Sequence, residues 1–345
     1  MWWACNDERR EPGHPRDRVT DVIPLQGANL DRVLDLTHPI WHDGLDRHAY
    51  GRLCAAQMKT AWGLRSQRPF ALVEGADLLA SAEQYDLAGR FDGRPVRICG
   101  IGSVFTDPAH SGLGHARALL ERLLDRAARS GTDLALLFLR PGLEDDARIG
   151  FDAIPVPDAT IHVAESSRHG APMMLVRGGE ERDLAAIVVM GRVRADAFGL
   201  HGGRFHLDRD IDLVQYAITR KRLLAGLGPA GARQLHFFIA EEGTTAAAYV
   251  VVSVAGDTWT LEECGDRDAS GARVGALLQA LIAREPVERR PTIRGWLPPG
   301  FLPPQATVVS VPPSIEIVMV RVLNSMGMPP RLSGDDVLYW RNDVF

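Results

Sequence analysis

Lysine is almost missing from this chain: it occurs only at Lys59 and Lys221, although lysine and arginine together number 39. The skew toward arginine reflects coding bias rather than a phosphate-binding surface. With 44 acidic residues the net charge is -5, which leaves no basic excess to recruit nucleic acid. Cysteine is scarce as well. Cys5, Cys54, Cys99 and Cys264 are scattered with no Cys-x-x-Cys spacing, so neither zinc nor a disulfide framework is indicated. A reduced, cytoplasmic setting is the expectation. No apolar run reaches the roughly 18 residues of a membrane helix, and the opening Met-Trp-Trp-Ala-Cys is too short an apolar segment for a signal peptide.

What is present is apolar residue in quantity, 46% of 345, enough for two domains that each bury a core. Residues 1–18 are charged and proline-bearing and read as a flexible tail. The rest is organised around the stretch from Arg97 to Gly114. An apolar strand ends at Thr106, Asp107-Pro108 halts it, and a glycine-bearing loop opens a helix at His115. Leu119, Leu120, Leu123, Leu124 and Ala127 recur at helical spacing, giving that helix one apolar face. Gly112 and Gly114 permit a tight turn, with amides pointing forward from the helix start. Such amides, at the positive end of a helix dipole, suit phosphate. No Gly-Lys-Ser/Thr follows, so this is not a Walker loop, and the third spaced glycine of a dinucleotide fingerprint is missing.

The stretch resembles the pyrophosphate loop of the GCN5-related N-acetyltransferases, or GNAT family. The family signature is Arg or Gln, two residues, Gly, one residue, then Gly or Ala; Ser111, Gly114 and Ala116 stand in those slots, with Pro108 upstream. The next strand, Leu134–Leu139, and the run Arg148-Ile149-Gly150-Phe151 fall where the family has its following strand and the end of its fourth helix. Ser111 departs from the long donor usual at that position.

The resemblance implies an α/β fold, an α+β mixed sheet with an antiparallel meander feeding a strand-helix-strand unit. Phe70–Val73, Ala76–Ala82 and Val96–Phe105 are the expected strands, with Asp92-Gly93 as a hairpin cue. The pattern restarts after a turn-rich linker, Glu165–Pro172: strands near 173–177, 237–241, 246–254, 259–264 and 292–297, with helices from Asp183, Ile211 and Ala272. This order reads as an internal duplication. Two tandem GNAT-like domains are expected, over 19–165 and 173–345, each a central mostly antiparallel sheet flanked by helices. The second loop, Gly265–Gly271, carries Asp266 and Asp268, which would repel a pyrophosphate, so the second copy is expected to be a degenerate partner. The aromatic end, Val337–Phe345, is expected to pack as a last strand or at the domain junction.

By the same resemblance the chemistry is direct attack of an amine on the thioester of acetyl-CoA, the co-substrate. Gly112, Leu113, Gly114, His115 and Ala116, with Ser111, would hold the diphosphate, and the strand end Val104-Phe105-Thr106 would face the pantetheine and acetyl group. Glu83, Asp86 and His48 are the alternatives for a base. Asp146 stands where the family has a tyrosine that protonates the departing thiolate, so either Tyr85 substitutes or no acid is needed, a CoA thiolate being a tolerable leaving group. His110 and His115 flank the loop, facing phosphate or solvent. The segment with His38, Trp41, His42, His48, Tyr50 and Trp62 would be either a polar, aromatic acceptor wall or plain core. His38 and His42 are four apart, but Pro39 lies between them and spacing fixes no third ligand, so no metal is expected. A small-molecule or peptide amine is the expected partner of a monomer or homodimer, without nucleic acid or membrane. The alternative from another class is a catalytically silent acyl-CoA sensor or scaffold.

Overall fold

The computed structural model describes residues 20–139, 149–154, 158–164, 174–311, 317–324 and 331–343. The expected tail, the linker, the helix before Ile149 and Asp146 lie outside them.

In chain order the strands are β1 (Thr20–Pro24), β2 (Gln67–Glu74), β3 (Asp77–Phe91), β4 (Arg94–Thr106), β5 (Leu134–Leu139), β6 (Asp152–Ile154), β7 (Ala159–Val163) and β8 (Leu175–Gly178). Then come β9 (Phe205–Leu207), β10 (Gln234–Glu242), β11 (Thr245–Ala255), β12 (Thr258–Asp266), β13 (Thr292–Gly295), β14 (Ala306–Ser310), β15 (Ile317–Val322) and β16 (Val337–Leu338). The helices are α1 (Gly27–Trp41), α2 (Arg47–Met58), α3 (Ala61–Ser66), α4 (His115–Arg129), α5 (Leu184–Leu200), α6 (Ile211–Leu227) and α7 (Ala272–Ile282). The fold is mixed α/β with two largely antiparallel sheets.

Asp92-Gly93 makes the tight turn its chemistry suits, with positive φ at both residues and Phe91 opposite Arg94. β3 is longer than expected from the sequence and runs through Glu83 and Asp86, which therefore lie within the strand and not at its end. Leu119, Leu120, Leu123, Leu124 and Ala127 of α4 pack on Leu72, Leu79, Ile101, Ala135 and Leu137 to form the first core. In the second half Val274, Leu277, Leu278 and Leu281 of α7 do the same against Val250, Val252, Leu261 and Ile293.

Sheet membership does not follow the expected cut between 165 and 173. β7, from the first half, pairs with β13 and β14 of the second sheet. In return β15 lies between β5 and β6 in the first sheet, and β9 pairs with the end of β3 and with β16. Nothing local marks this exchange, because β7 and β15 are short apolar runs that suit the interior of either sheet. A core shared by the halves covers the junction: Trp62, Tyr85, Leu87 and Phe91 from the first, Phe198, Tyr216, Trp296 and Tyr339 from the second. After β16 the chain packs Tyr339 face to face on Trp296, centroids 4.7 Å apart. A 3-10 turn, Arg341–Asp343, then places Asp343 beside Arg209 (2.9 Å) and Asn342 on Glu263 (2.7 Å).

This exchange predicts that a fragment ending at residue 172 does not stand alone. Without β15 the Leu-Ala-Leu-Leu-Phe-Leu strand is an open apolar edge, a template for aggregation. Size-exclusion chromatography should show aggregates and far-UV circular dichroism no cooperative melt; a monomeric fragment that melts cooperatively would contradict the pairing.

Candidate active site

β4 carries the site. It pairs in parallel with β5 only from Ile98↔Leu134 to Ile101↔Leu137. Beyond that, among the described residues, β4 pairs with β3 alone, and the β5-facing side of residues 102–106 borders a cleft. A bulge accompanies the split: two β3 steps, Ser81 to Glu83, oppose three on β4, Phe105 to Gly102, with Ser103 at a φ of 49°. Ser103 and Val104 line a cavity of about 360 Å³, within the usual range for small-molecule sites. Phe105 is buried, its ring edge-on to Trp41, while Thr106 pairs with Ala80.

After Thr106 a 3-10 turn, Pro108–His110, is capped by the Asp107 carboxylate, which accepts from the Ala109 amide at 3.0 Å. Gly112 (φ 76°) and Gly114 (φ 77°) then bend the chain into α4 through left-handed conformations that only glycine adopts at little cost. Among the described residues no side chain caps α4, and none lies within 4 Å of where a Cβ would sit on either glycine. Leu113 is exposed and Ala116 is buried beneath the turn. The first-turn amides of His115, Ala116 and Arg117 thus face an open mouth suited to an anion. His110 and His115 meet edge to face beside it, centroids 6.0 Å apart.

The corresponding mouth at α7 has the same left-handed glycine, Gly271 at a φ of 69°, but it is filled. The buried Asp266 carboxylate accepts from the Arg273 amide at 2.8 Å and the Asp268 amide at 2.9 Å. Phe301 covers the glycine so closely that a Cβ there would collide with its ring. The Arg194 guanidinium lies 3.8 Å over that ring and donates to the Ala269 carbonyl at 2.5 Å. The protein's own acid and aromatic ring occupy the place of a ligand.

In the cavity of the first half, Glu83 and Tyr85 share the inward face of β3, two residues apart. Tyr85 donates its hydroxyl to Glu83, and Gln67 Nε2 donates to the same oxygen at 2.9 Å. Desolvation pushes the Glu83 carboxyl above the usual carboxylate range, opposed by those two donors and by the nearby Arg220 guanidinium. Burial also holds the Tyr85 hydroxyl well above its ordinary value, so it stays protonated. Trp62 packs on Tyr85 and Tyr216, and Tyr216 donates to Gln67 at 3.4 Å. Tyr50 and Cys54, one turn apart on α2, complete the polar wall; burial raises the Cys54 thiol to about 12, so it is not a thiolate at neutral pH.

Two expected candidates are elsewhere. Asp86 lies on the opposite face of β3 from Glu83, paired with the exposed Arg68, because side chains alternate along a strand. His48 is exposed on α2, about 200° around the helix from the buried Tyr50, and does not line the cavity. His38 and His42 are engaged with backbone, His38 Nε2 with the Leu45 carbonyl (3.0 Å) and His42 Nδ1 with the Gly44 amide (2.9 Å). Among the described residues no three His, Cys, Asp or Glu side chains are grouped as metal ligands. Sequence reasoning missed Gln67, Tyr216 and Arg220. The last two come from α6, some 130 residues beyond β3, and carry no local signal.

With this geometry in view, residues 24–140 match the family model described as an acetyltransferase (GNAT) domain. A probable N-acyltransferase of Enterococcus faecalis superposes with a TM-score of 0.63 at 13% identity, over 88% of this chain and 72% of that one. A GCN5-related N-acetyltransferase of Kribbella flavida gives 0.61 at 17% identity, over 88% and 71%. The N-myristoyltransferase of Saccharomyces cerevisiae with bound myristoyl-CoA gives 0.53 at 9% identity, over 91% and 80%. These identities establish likeness of fold. A comparison with curated proteins finds no match.

Because one mouth is open and the other filled, a charge placed at each should act differently. Leu113→Glu, at an exposed position in the first loop, should weaken binding of an anionic probe, coenzyme A, at least tenfold by calorimetry. Ala269→Glu, exposed in the second loop, should leave it within twofold; equal losses would refute a single site.

Proposed function

We propose that this protein is an acyl-CoA-dependent N-acyltransferase that moves an acetyl group from acetyl-CoA to a primary amine by direct attack. The observation that carries this reading is the continuity of one strand. β4 forms the cavity wall at Ser103–Val104 and delivers the chain to the uncapped amides of α4. The diphosphate sits on the amides from Gly112 to Ala116, beside Ser111, and the thioester runs along Val104, Phe105 and Thr106, where the Val104 and Thr106 amides, on the edge of β4 away from β3, stabilise the developing oxyanion. Glu83 accepts the ammonium proton, since its raised carboxyl brings its affinity for protons nearer to neutral pH. Tyr85, protonated and bonded to Glu83, is the group in the cavity able to return a proton to the departing thiolate.

Glu83→Gln should keep acetyl-CoA affinity and lower amine-dependent thiol release about 100-fold or more, the usual scale of a lost general base. Binding with no thiol release from any amine would instead indicate the silent sensor. The sign of the stability effect follows from the same group. A carboxyl held above its unfolded value of about 4.3 keeps its proton more tightly when folded, so stability falls as pH rises from there through the raised value. Thermal melts between pH 4 and 9 should show this fall in the wild type and its loss in Glu83→Gln.

The departure at Ser111 gives another expectation. Ser111→Arg restores a long donor beside the open mouth and should tighten acetyl-CoA about fivefold, the scale of one exposed charge-assisted contact.

A further inference from the structure

The cavity holds two opposite charges that do not meet. Glu83 projects from β3 of the first half and Arg220 from α6 of the second. Among the described residues no carboxylate lies within 4 Å of the Arg220 guanidinium, whose hydrogen bond is a long one, Nη2 to the Asn342 carbonyl at 3.4 Å. The other cations of the wall are engaged: Lys221 with Glu262 at 2.8 Å, Arg341 with Asp158. Asp43, the second acid of the lining, is exposed on the turn after α1. The same cavity is lined by the apolar side chains of Leu30, Val33, Leu34, Trp41, Leu53 and Leu224.

Accepting the acyltransferase reading above, we propose that the acceptor is a primary amine bearing a carboxylate a few bonds from the nitrogen on an apolar body, an apolar amino acid or a close analogue. Arg220 binds the carboxylate through its planar fork, which suits two parallel N–H donors to two oxygens. Glu83 takes the ammonium, and the side chain lies on the wall from α1 and α2. A zwitterion completes both half-pairs at once. A plain amine leaves the donors of the half-buried Arg220 facing the cavity without a carboxylate to accept from them, although Glu83 and Asp343 share its field, and polar groups left without partners are the strongest source of discrimination. The second half of the chain, which lacks an open nucleotide mouth, thereby selects the acceptor.

The test compares L-phenylalanine with phenethylamine, and L-leucine with isoamylamine, as acceptors for acetyl-CoA in full-length protein, read as thiol release. Wild type should favour the amino acid at least tenfold in kcat/KM. In Arg220→Leu the ratio should collapse to within threefold of one through a raised KM for the amino acid, and Arg220→Lys should recover part of it. Melting temperature and acetyl-CoA affinity of each variant separate this from misfolding. Equal use of amine and amino acid by the wild type overturns the proposal while leaving the acyltransferase standing. So does a ratio that Arg220→Leu leaves unchanged, or a preference for succinyl-CoA over acetyl-CoA that Arg220→Leu removes. Absence of thiol release with all four acceptors, despite acetyl-CoA binding, overturns both.

Discussion

Amides at the start of a helix have no partner inside it, and this requirement governs both halves of the molecule. Two helices begin from a left-handed glycine after a long strand, and at each the first-turn amides aim outward. At α7 the chain answers with its own carboxylate, Asp266, closed over by Phe301 and Arg194. At α4 it supplies nothing, since Asp107 is engaged in capping the preceding 3-10 turn. The two halves thus present one filled and one open helix mouth, and the difference lies in where a single aspartate falls relative to the end of the strand.

The sequence made the local elements readable. The α4 stripe, the Asp92-Gly93 hairpin and the glycine loop are written in neighbouring residues, where side-chain period and turn chemistry act directly. Asp266 and Asp268 are expected from the sequence to repel a pyrophosphate; what the structure adds is that the Asp266 carboxylate accepts from the Arg273 and Asp268 amides. Less was readable wherever a residue's surroundings come from far along the chain. Glu83 and Asp86 look alike in one dimension; strand alternation and the length of β3 put one in the cavity and the other against Arg68 in solvent. His48 seemed as good a base as any until α2 turned it outward. Arg220 and Tyr216 offered no pattern at all, for they reach the site only because α6, resting on β10 of the second sheet, packs against α2 and α3 of the first half.

The exchange of strands ties these observations together. β7 completes the second sheet and β15 the first, so neither half owns its own core, and the cavity between them has one wall from each. Fixing the second half against the first in this way holds α6 over the cavity, and a helix so anchored can bear a charged side chain at a defined place.

The exchange also has a consequence during synthesis. About 180 residues separate the end of β5 from its neighbour β15. At a ribosomal pace of roughly 5–20 residues per second, an all-apolar strand waits on the order of 10–40 s beside an unfilled slot. The nascent chain must therefore be shielded over that interval, by the arriving second half or by a chaperone, and the yield of native protein in a cell depends on how fast the stretch between β5 and β15 is translated.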